Sequence, residues 1–438
     1  MNLNPPKGTR DFLPEEMIAR ERVIKIIKDT FEIYGFLPME TPAFERWEVL
    51  TKKCGEEIKN QIYGFEDKAG RKLGLRFDLT VPLARVIASH PTVPKPFKRY
   101  CISRVWRYEE PQAGRFREFW QADIDVIGIE SLQADVECVS CAAEALIKLG
   151  IDDFSVFVNS RKVLEGVAES VGIESESVKL SVFRAIDKLE KIGENGVRKE
   201  LEEIGLSAKQ INGIFELLRL KSIEEAKEKL KDIEVAAKGV EELEEIYRFA
   251  RCYGIENRLK FDISLARGLD YYTGPIFEFK LISGKSKLGT ISAGGRYDNL
   301  IALFGSKPIP ATGISLGIER IMEVLRLKNK LPEPKSKVAV FVANATEEMK
   351  EKAVEIGQMI RRHSIPCEVN ITSRNLRKQL DYVNRRGIPY ALIVGERELK
   401  EGCVVLRDMA TGSESKIKID EICSRLKGAT EPRNKSLE

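Results

Sequence analysis

The chain has 438 residues, 43% hydrophobic and 32% charged, with Lys+Arg 72 against Asp+Glu 68 for a net charge of +4. That length and apolar content suit two to four cored domains, and the near-balance of charge leaves any nucleic-acid contact to local basic patches. No apolar run approaches the roughly 20 residues a bilayer span needs, "MNLNPPKGTRDFLPEEM" lacks the apolar region of a signal peptide, and eight scattered cysteines make no disulfide scaffold, so a cytoplasmic chain without a membrane partner is expected.

Residues 15–34 carry Ile18, Val23, Ile26, Ile27 and Phe31 at helical spacing. Gly35 stops that helix, and "FLPMETPAF" continues as an extended segment whose prolines belong at a sheet edge; helix and edge together suggest a subunit interface. "RKLGLRFDL" reads as a strand, followed by the helix "VPLARVIAS" with Thr80 as N-cap and Pro82 in the first turn. Residues 98–130, "KRYCISRVWRYEEPQAGRFREFWQADIDVIGIE", alternate at both ends around the turn "EEPQAGR", the pattern of an antiparallel pair with an arginine-bearing loop.

Cys138 and Cys141 form a C-x-x-C inside a helical period, with no second pair or neighbouring His to complete a metal site, so they read as core. Residues 160–256 contain few aromatics and successive amphipathic stripes, a helical insertion. Strands return with "KFDISLA", "PIFEFKLI" and "GTISAGG", and a helix follows "TGISLG". After the linker at 329–337, strand and helix patterns alternate as a separate small α/β domain.

The only histidines, His90 and His363, lie outside any glycine- or carboxylate-rich turn, which disfavours a catalytic triad or a zinc centre. Arginines instead cluster beside glycines in "RYEEPQAGRFREFWQAD", "LARGLDYYTG", "SAGGRYDNL" and "TGISLGIERI". Glycine lets backbone approach a ligand, and guanidinium forks match phosphate oxygens. No G-x-x-x-x-G-K-[ST] is present, so this is not a P-loop site.

These segments resemble the class II aminoacyl-tRNA synthetases. "FLPMETPAFE" is similar to motif 1, with Pro42 at the motif's proline, "RVWRYEEPQAGRFREF" to motif 2 and "GISLGIERI" to motif 3. "PKGTRDFLP", "RGLDYYTG" and "AGGRYDNL" resemble segments of the histidyl-tRNA synthetase family, and "RFDLTVPLAR" follows its archaeal and eukaryotic pattern. The resemblance implies an α+β fold: a class II antiparallel-sheet catalytic domain over 1–328 with a helical insertion at about 162–256, an α/β anticodon-binding domain over 337–425, and a disordered tail over 426–438. It implies ATP-dependent ligation of L-histidine to tRNA(His) through histidyl-adenylate, with Mg²⁺ accompanying ATP, by a homodimer.

Carried onto this sequence, the resemblance places Arg107 and Arg267 on opposite sides of the α-phosphate, with Arg267 also at the histidine carboxylate. Glu109 falls near the adenine amino group, Arg115 toward the outer phosphates, and Arg320 beside the adenine ring and γ-phosphate. Histidine falls to Asp78 and Thr80 at its α-amino group, with Gln121 as an amide contact. Neutral imidazole has one donor and one acceptor nitrogen, which Asp125 and Tyr272 would meet, with Tyr271 as neighbour and Tyr297 on the wall. Asp270 reads as a structural carboxylate, Gln112 as an acceptor-stem contact, and Arg374, Arg377, Arg385 and Arg386 as either tRNA-phosphate contacts or a solvated face. Two other readings remain: a histidine-sensing regulatory subunit of ATP phosphoribosyltransferase, which typically lacks the C-terminal domain, and a class II ligase for another amino acid.

Overall fold

The structure, a computed structural model, describes residues 1–52, 55–112, 114–267, 271–282, 289–305, 307–331 and 336–430. The chain divides into two compact units, Met1–Arg10 with Val23–Lys330 and Asp11–Arg22 with Leu331–Glu438.

The chain enters through α1, Pro14–Ile33, which buries Val23, Ile27 and Phe31 from the stripe read in the sequence. Strand β1, Leu37–Pro38, then pairs in parallel at the edge of the large sheet, where a proline costs no ladder bond. A small sheet of β2 (Phe44–Arg46), β3 (Gly64–Glu66) and β4 (Lys72–Leu75) carries the short helices α2, Trp47–Leu50, and α3, Glu56–Gln61.

Helix α4 runs Thr80–Ser89. Thr80 is its first residue rather than its cap: Asp78 Oδ1 accepts from the Val81 N–H at 3.0 Å, an acceptor role the carboxylate of Asp78 fills without a hydroxyl. Strands β5 (Phe97–Trp106) and β6 (Glu118–Ile127) form the expected antiparallel pair. Helix α5, Gln133–Lys148, covers the sheet and buries both Cys138 and Cys141. After β7, Phe154–Ser160, the insertion is helical throughout: α6 (Arg161–Ser170), α7 (Glu176–Asp187), α8 (Leu189–Glu203), α9 (Ala208–Leu218), α10 (Ile223–Leu230) and α11 (Glu234–Cys252). Strand β8 spans only Leu259–Phe261, shorter than "KFDISLA" suggests, because Asp262 turns the chain by accepting from Ser264 N–H and hydroxyl.

Strands β9 (Pro275–Leu281), β10 (Thr290–Arg296) and β11 (Ala311–Gly317) complete an eight-stranded sheet in the order β1-β5-β6-β11-β10-β9-β7-β8, followed by α12, Ile318–Leu327. Its interior pairs are antiparallel and its two edge pairs parallel. Strands distant in sequence thereby meet: β11 lies between β6 and β10.

The C-terminal unit holds a mixed sheet ordered β13-β12-β14-β15-β16, from β12 (Val340–Asn344), β13 (Cys367–Val369), β14 (Tyr390–Val394), β15 (Cys403–Asp408) and β16 (Glu414–Lys418). Helices α13 (Lys350–Arg362), α14 (Leu376–Arg386), α15 (Glu396–Lys400) and α16 (Ile422–Thr430) accompany it. Strand β16, absent from the sequence reading, alternates only charged, hydroxyl and one apolar residue, Ile417, and so lacks the pattern of a buried strand. Residues 426–430, expected to belong to a disordered tail, are helical: α16 extends to Thr430 and buries Leu426 in the core with Val404, Ile417 and Ile422. Residues 332–335 of the linker and 431–438 of the tail lie outside the described residues, as does Asp270.

Candidate functional site

Alternation along β6 puts Gln121, Asp123 and Asp125 on one face of the sheet. Register sets them beside Ser103, Cys101 and Arg99 on β5, and beside Gly317, Ser315 and Gly313 on β11. Glycine at 313 is a packing requirement: a Cβ there would strike the Asp125 carboxylate and lie 2.7 Å from the Ile124 carbonyl oxygen. Over this floor opens a cleft of about 1010 Å³. Of the sequence-predicted residues, Asp78, Thr80, Arg107, Arg115, Gln121, Asp125, Arg267, Tyr271, Tyr272 and Tyr297 all line it.

The deep end is acidic. Asp125 is 2% exposed, with Oδ2 at 2.7 Å from Arg99 Nη2 and Oδ1 accepting from the Tyr297 hydroxyl. Arg99, 1% exposed, also donates to the Leu79 carbonyl at 3.0 Å. Burial raises the carboxyl pKa of Asp78 and Asp125 against the opposing pull of their arginines. Asp123 is pushed up to about 7, by burial against the pull of Arg99, with Asp125 adding repulsion. Arg107 Nε donates to the Phe77 carbonyl at 2.9 Å, which holds its guanidinium on the cleft wall where it pulls the Asp78 pKa down against the effect of burial. Gln121 Nε2 donates to Ser315 Oγ at 2.6 Å and its Oε1 stands 3.5 Å from Arg107 Nη2. Tyr271 packs edge-on to Tyr272 at 4.9 Å and to Tyr297 at 6.2 Å between ring centroids, a fixed phenol cluster.

The outer end is basic. The loop between β5 and β6 closes by paired backbone bonds between Gln112 and Arg115, and Arg115 stands 3.6 Å from Glu109. Arg320, on the first turn of α12, donates to the Thr290 carbonyl. Burial lowers its pKa to about 10, with repulsion from Arg115 and Arg267 adding to the effect. A guanidinium lowered first by burial and then by two neighbouring cations gains from a nearby anion. Arg267 pairs with Glu278 at 2.8 Å and faces Asp187 at 3.9 Å.

Arg296 behaves otherwise. It is buried against Asp135 and donates to the carbonyls of Ile129 and Ser131, a structural cation rather than a cleft residue. Glu319 is likewise structural, accepting from the Trp120 N–H at 2.9 Å and so fixing α12 to β6.

Arg99, Asp123, Glu278 and Asp187 escaped the sequence reading. Arg99 and Asp123 carried a usable signal, since period-2 alternation places both on the face of Gln121 and Asp125. Glu278 is a lone carboxylate at an inward position of "PIFEFKL", 1% exposed and ringed by Arg267, Lys280 and Thr290. Asp187 belongs to α7 and reaches the cleft only through tertiary folding. Among the described residues, no group of three or more His, Cys, Asp or Glu side chains is placed to hold a metal ion.

Residues 8–321 match the family Histidyl-tRNA synthetase, and residues 337–428 match the Anticodon binding domain. The histidine–tRNA ligase of Pyrococcus furiosus is 38% identical over 428 residues, covering 97% of this chain and 98% of that protein. That of Aeropyrum pernix is 40% identical over 426 residues, covering 95% and 96%. The crystal structure of histidyl-tRNA synthetase from Nostoc sp. PCC 7120 superposes with a TM-score of 0.84 at 33% identity, covering 98% of this chain and all of that one. The large antiparallel-rich sheet, the cleft of arginines and tyrosines above it and these full-length similarities agree, and the chain belongs to the histidyl-tRNA synthetase family.

Proposed function

We propose that this chain ligates L-histidine to tRNA(His) at the expense of ATP. A histidine carboxylate oxygen attacks the α-phosphorus, the bond to the β-phosphate bridging oxygen breaks, and pyrophosphate leaves. A ribose hydroxyl of the terminal tRNA adenosine then attacks the histidyl carbonyl and AMP departs. The first step brings an anion onto a polyanion, so its barrier falls with cations fixed around the reacting phosphate. The observation that carries this reading is a cleft lined by Arg115 and Arg267 together with carboxylates and phenols, with Arg320 close enough to be repelled by both arginines.

In this assignment Arg107 and Arg267 flank the α-phosphate, and the histidine carboxylate meets them both. Arg115 and Arg320 take the outer phosphates, with Arg320 also against the adenine and Glu109 at its amino group. Asp78 and Thr80 receive the α-amino group, Gln121 orients the amino acid, and Asp125, Tyr272, Tyr271 and Tyr297 form the imidazole end. Mg²⁺ enters as the ATP complex.

The same reading assigns 1–328 as the catalytic domain with its insertion and 337–425 as the anticodon-binding domain, where Arg374, Arg377 and Arg385 are exposed. It also assigns a cytoplasmic homodimer. Ile33 and Leu37 are exposed apolar residues around the start of the β1 edge, a face that a second copy would cover.

The test is histidine-dependent exchange of labelled pyrophosphate into ATP without tRNA. Wild type exchanges, and Arg267→Ala loses on the order of 10²–10³ in kcat, the usual cost of removing one donor to developing charge. Histidine binding without exchange would instead make the chain a histidine sensor.

A further inference from the structure

Glu278 is a buried carboxylate that the proposed chemistry leaves unused. Alternation along β9 puts Ile276, Glu278 and Lys280 on one face of the sheet and the core residues Phe277 and Phe279 on the other. Register sets Glu278 beside Ala293 of β10, which lines the cleft, so the carboxylate lies on the cleft side of the sheet. At 1% exposure it stands behind the lining rather than in it.

Its contacts lead to two of the cleft arginines. Oε1 stands 2.8 Å from Arg267 Nη1 and accepts from the Thr290 hydroxyl, and Oε2 lies 3.2 Å from Lys280 Nζ. Thr290 in turn accepts at its backbone carbonyl from Arg320 Nη1. The register of β10 against β9 shifts between Thr290 and Ser292, an irregularity that loosens the ladder's hold on Thr290 and gives its hydroxyl bond to Glu278 a larger share in aiming that carbonyl. The other carboxylate near Arg267, Asp187, is 3.9 Å from Nε with its side chain 43% exposed, where solvent screens the pair. At Arg320, where burial first and then Arg115 and Arg267 disfavour the charge, Glu278 and Glu109 are the carboxylates that oppose them.

We propose that Glu278 is a positioning residue that orders two cleft arginines before the substrates bind, Arg267 directly and Arg320 through the hydroxyl and carbonyl of Thr290. A guanidinium carries five donors in a rigid plane, so an anchor at one nitrogen fixes where the others point and leaves them for the oxygens of a ligand. Donors held in place beforehand cost no reorganisation when charge develops on the phosphate. Lys280 keeps Glu190 as a second partner, so the two arginines are the groups that depend on Glu278. The proposal rests on the assignment of these arginines to ATP.

The experiment measures ATP and L-histidine affinities by calorimetry, with histidine-dependent pyrophosphate exchange alongside, for the full chain and for Glu278→Gln, Glu278→Asp, Thr290→Val, Arg267→Ala and the double variant Glu278→Gln with Arg267→Ala. Glu278→Gln removes the charge at constant volume and is expected to lower the kcat of exchange about 10- to 100-fold, the range for a lost hydrogen bond between charged groups, and to weaken ATP binding about threefold or more. Glu278→Asp keeps the charge beside Lys280 but draws the carboxylate back by one methylene from Arg267 and Thr290. It is expected to stay about tenfold or more below wild type, because small misplacements of a reacting array are costly, whereas a carboxylate that only balanced buried charge would be rescued by it. It decides the matter if the glutamine variant does not fold. With Arg267 already replaced by Ala, Glu278→Gln is expected to cost less than about threefold in kcat, since independent effects multiply and coupled ones do not. Thr290→Val keeps the branched shape without the hydroxyl and is expected to raise the ATP Kd about three- to tenfold, with the histidine Kd within about twofold. Rescue by aspartate, or equal losses from Glu278→Gln with and without Arg267, overturns the proposal, and an unchanged ATP Kd in Thr290→Val overturns its Arg320 arm. Wild type that binds ATP without histidine-dependent exchange overturns the ligase reading, and the ATP affinities of the Glu278 and Thr290 variants then decide this one; wild type that binds no ATP overturns both.

Discussion

Replacing Arg99 with Met keeps the aliphatic stem and removes the one cation buried among the deep carboxylates. Asp125 Oδ2 loses its partner at 2.7 Å, Asp123 loses its largest compensating charge, and the Leu79 carbonyl loses a donor. Breaking a buried ion pair by removing one member costs about 3–5 kcal/mol, because the survivor stays buried and uncompensated. The pH dependence has a definite sign. Both carboxyl groups have folded pKa values above their ordinary range, Asp123 at about 7. The folded state therefore holds protons that the unfolded state releases, and the contribution of these two groups to stability is fully present below about pH 4 and is lost as pH rises through 7. Without Arg99 both values climb further, so the deficit of Arg99→Met is larger at pH 8 than at pH 5. Urea denaturation followed by tryptophan fluorescence suits the measurement. Trp47, Trp106 and Trp120 all lie in the first unit, and urea is uncharged and does not screen the pair. A loss below about 1 kcal/mol, or one equal at the two pH values, would refute the view that Arg99 compensates these carboxylates. Asp125→Asn added to Arg99→Met should return part of the lost stability, and a strictly additive cycle would also contradict it.

Gly313→Ala places a methyl against the Asp125 carboxylate and the Ile124 carbonyl, both on a neighbouring strand that cannot retreat cheaply. It should destabilise the first unit by about 1–3 kcal/mol and raise the KM for histidine more than that for ATP; an equal change in both would detach this glycine from the amino-acid end. Arg385→Ala with Arg386→Ala on α14 should raise the KM for tRNA at low salt and flatten its salt dependence, as expected when phosphate contacts are lost. An unchanged KM across a salt series would mark these residues as a solvated face.

The sequence was most legible where a local period and a tertiary role coincide. The β5–β6 pair, the helical insertion and the core placement of Cys138 and Cys141 each follow from spacing alone, because burial on one face writes its period into the chain. Arg267, Tyr271 and Tyr272 stood out because polar groups in a glycine-bounded turn lack a local explanation. Charge pairing across strands is a different matter. Arg99 and Asp125 sit opposite each other across β5 and β6, and Asp123 and Ser315 across β6 and β11, nearly two hundred residues apart. Nothing in either segment separately says which partners the two alternating aspartates meet. Arg296 shows the same limit from the other side: a guanidinium beside a glycine pair reads as a ligand contact until Asp135, from α5, is found against it. The Thr80 cap failed for a smaller reason: the helix already includes Thr80, and Asp78 two residues upstream accepts from the Val81 N–H.

Arg267 stands where the insertion meets the catalytic sheet. It faces Asp187 at the end of α7, while Glu190 at the start of α8 pairs with Lys280 on β9. An anion that draws the Arg267 guanidinium toward itself withdraws it from Asp187, and a shift of α7 away from the sheet leaves Arg267 freer for an anion. With Arg267 assigned to the nucleotide as proposed above, nucleotide occupancy and the placement of the insertion would share a common energetic link of equal size in both directions. Because that link is made of partly exposed charges, its strength falls as ionic strength rises.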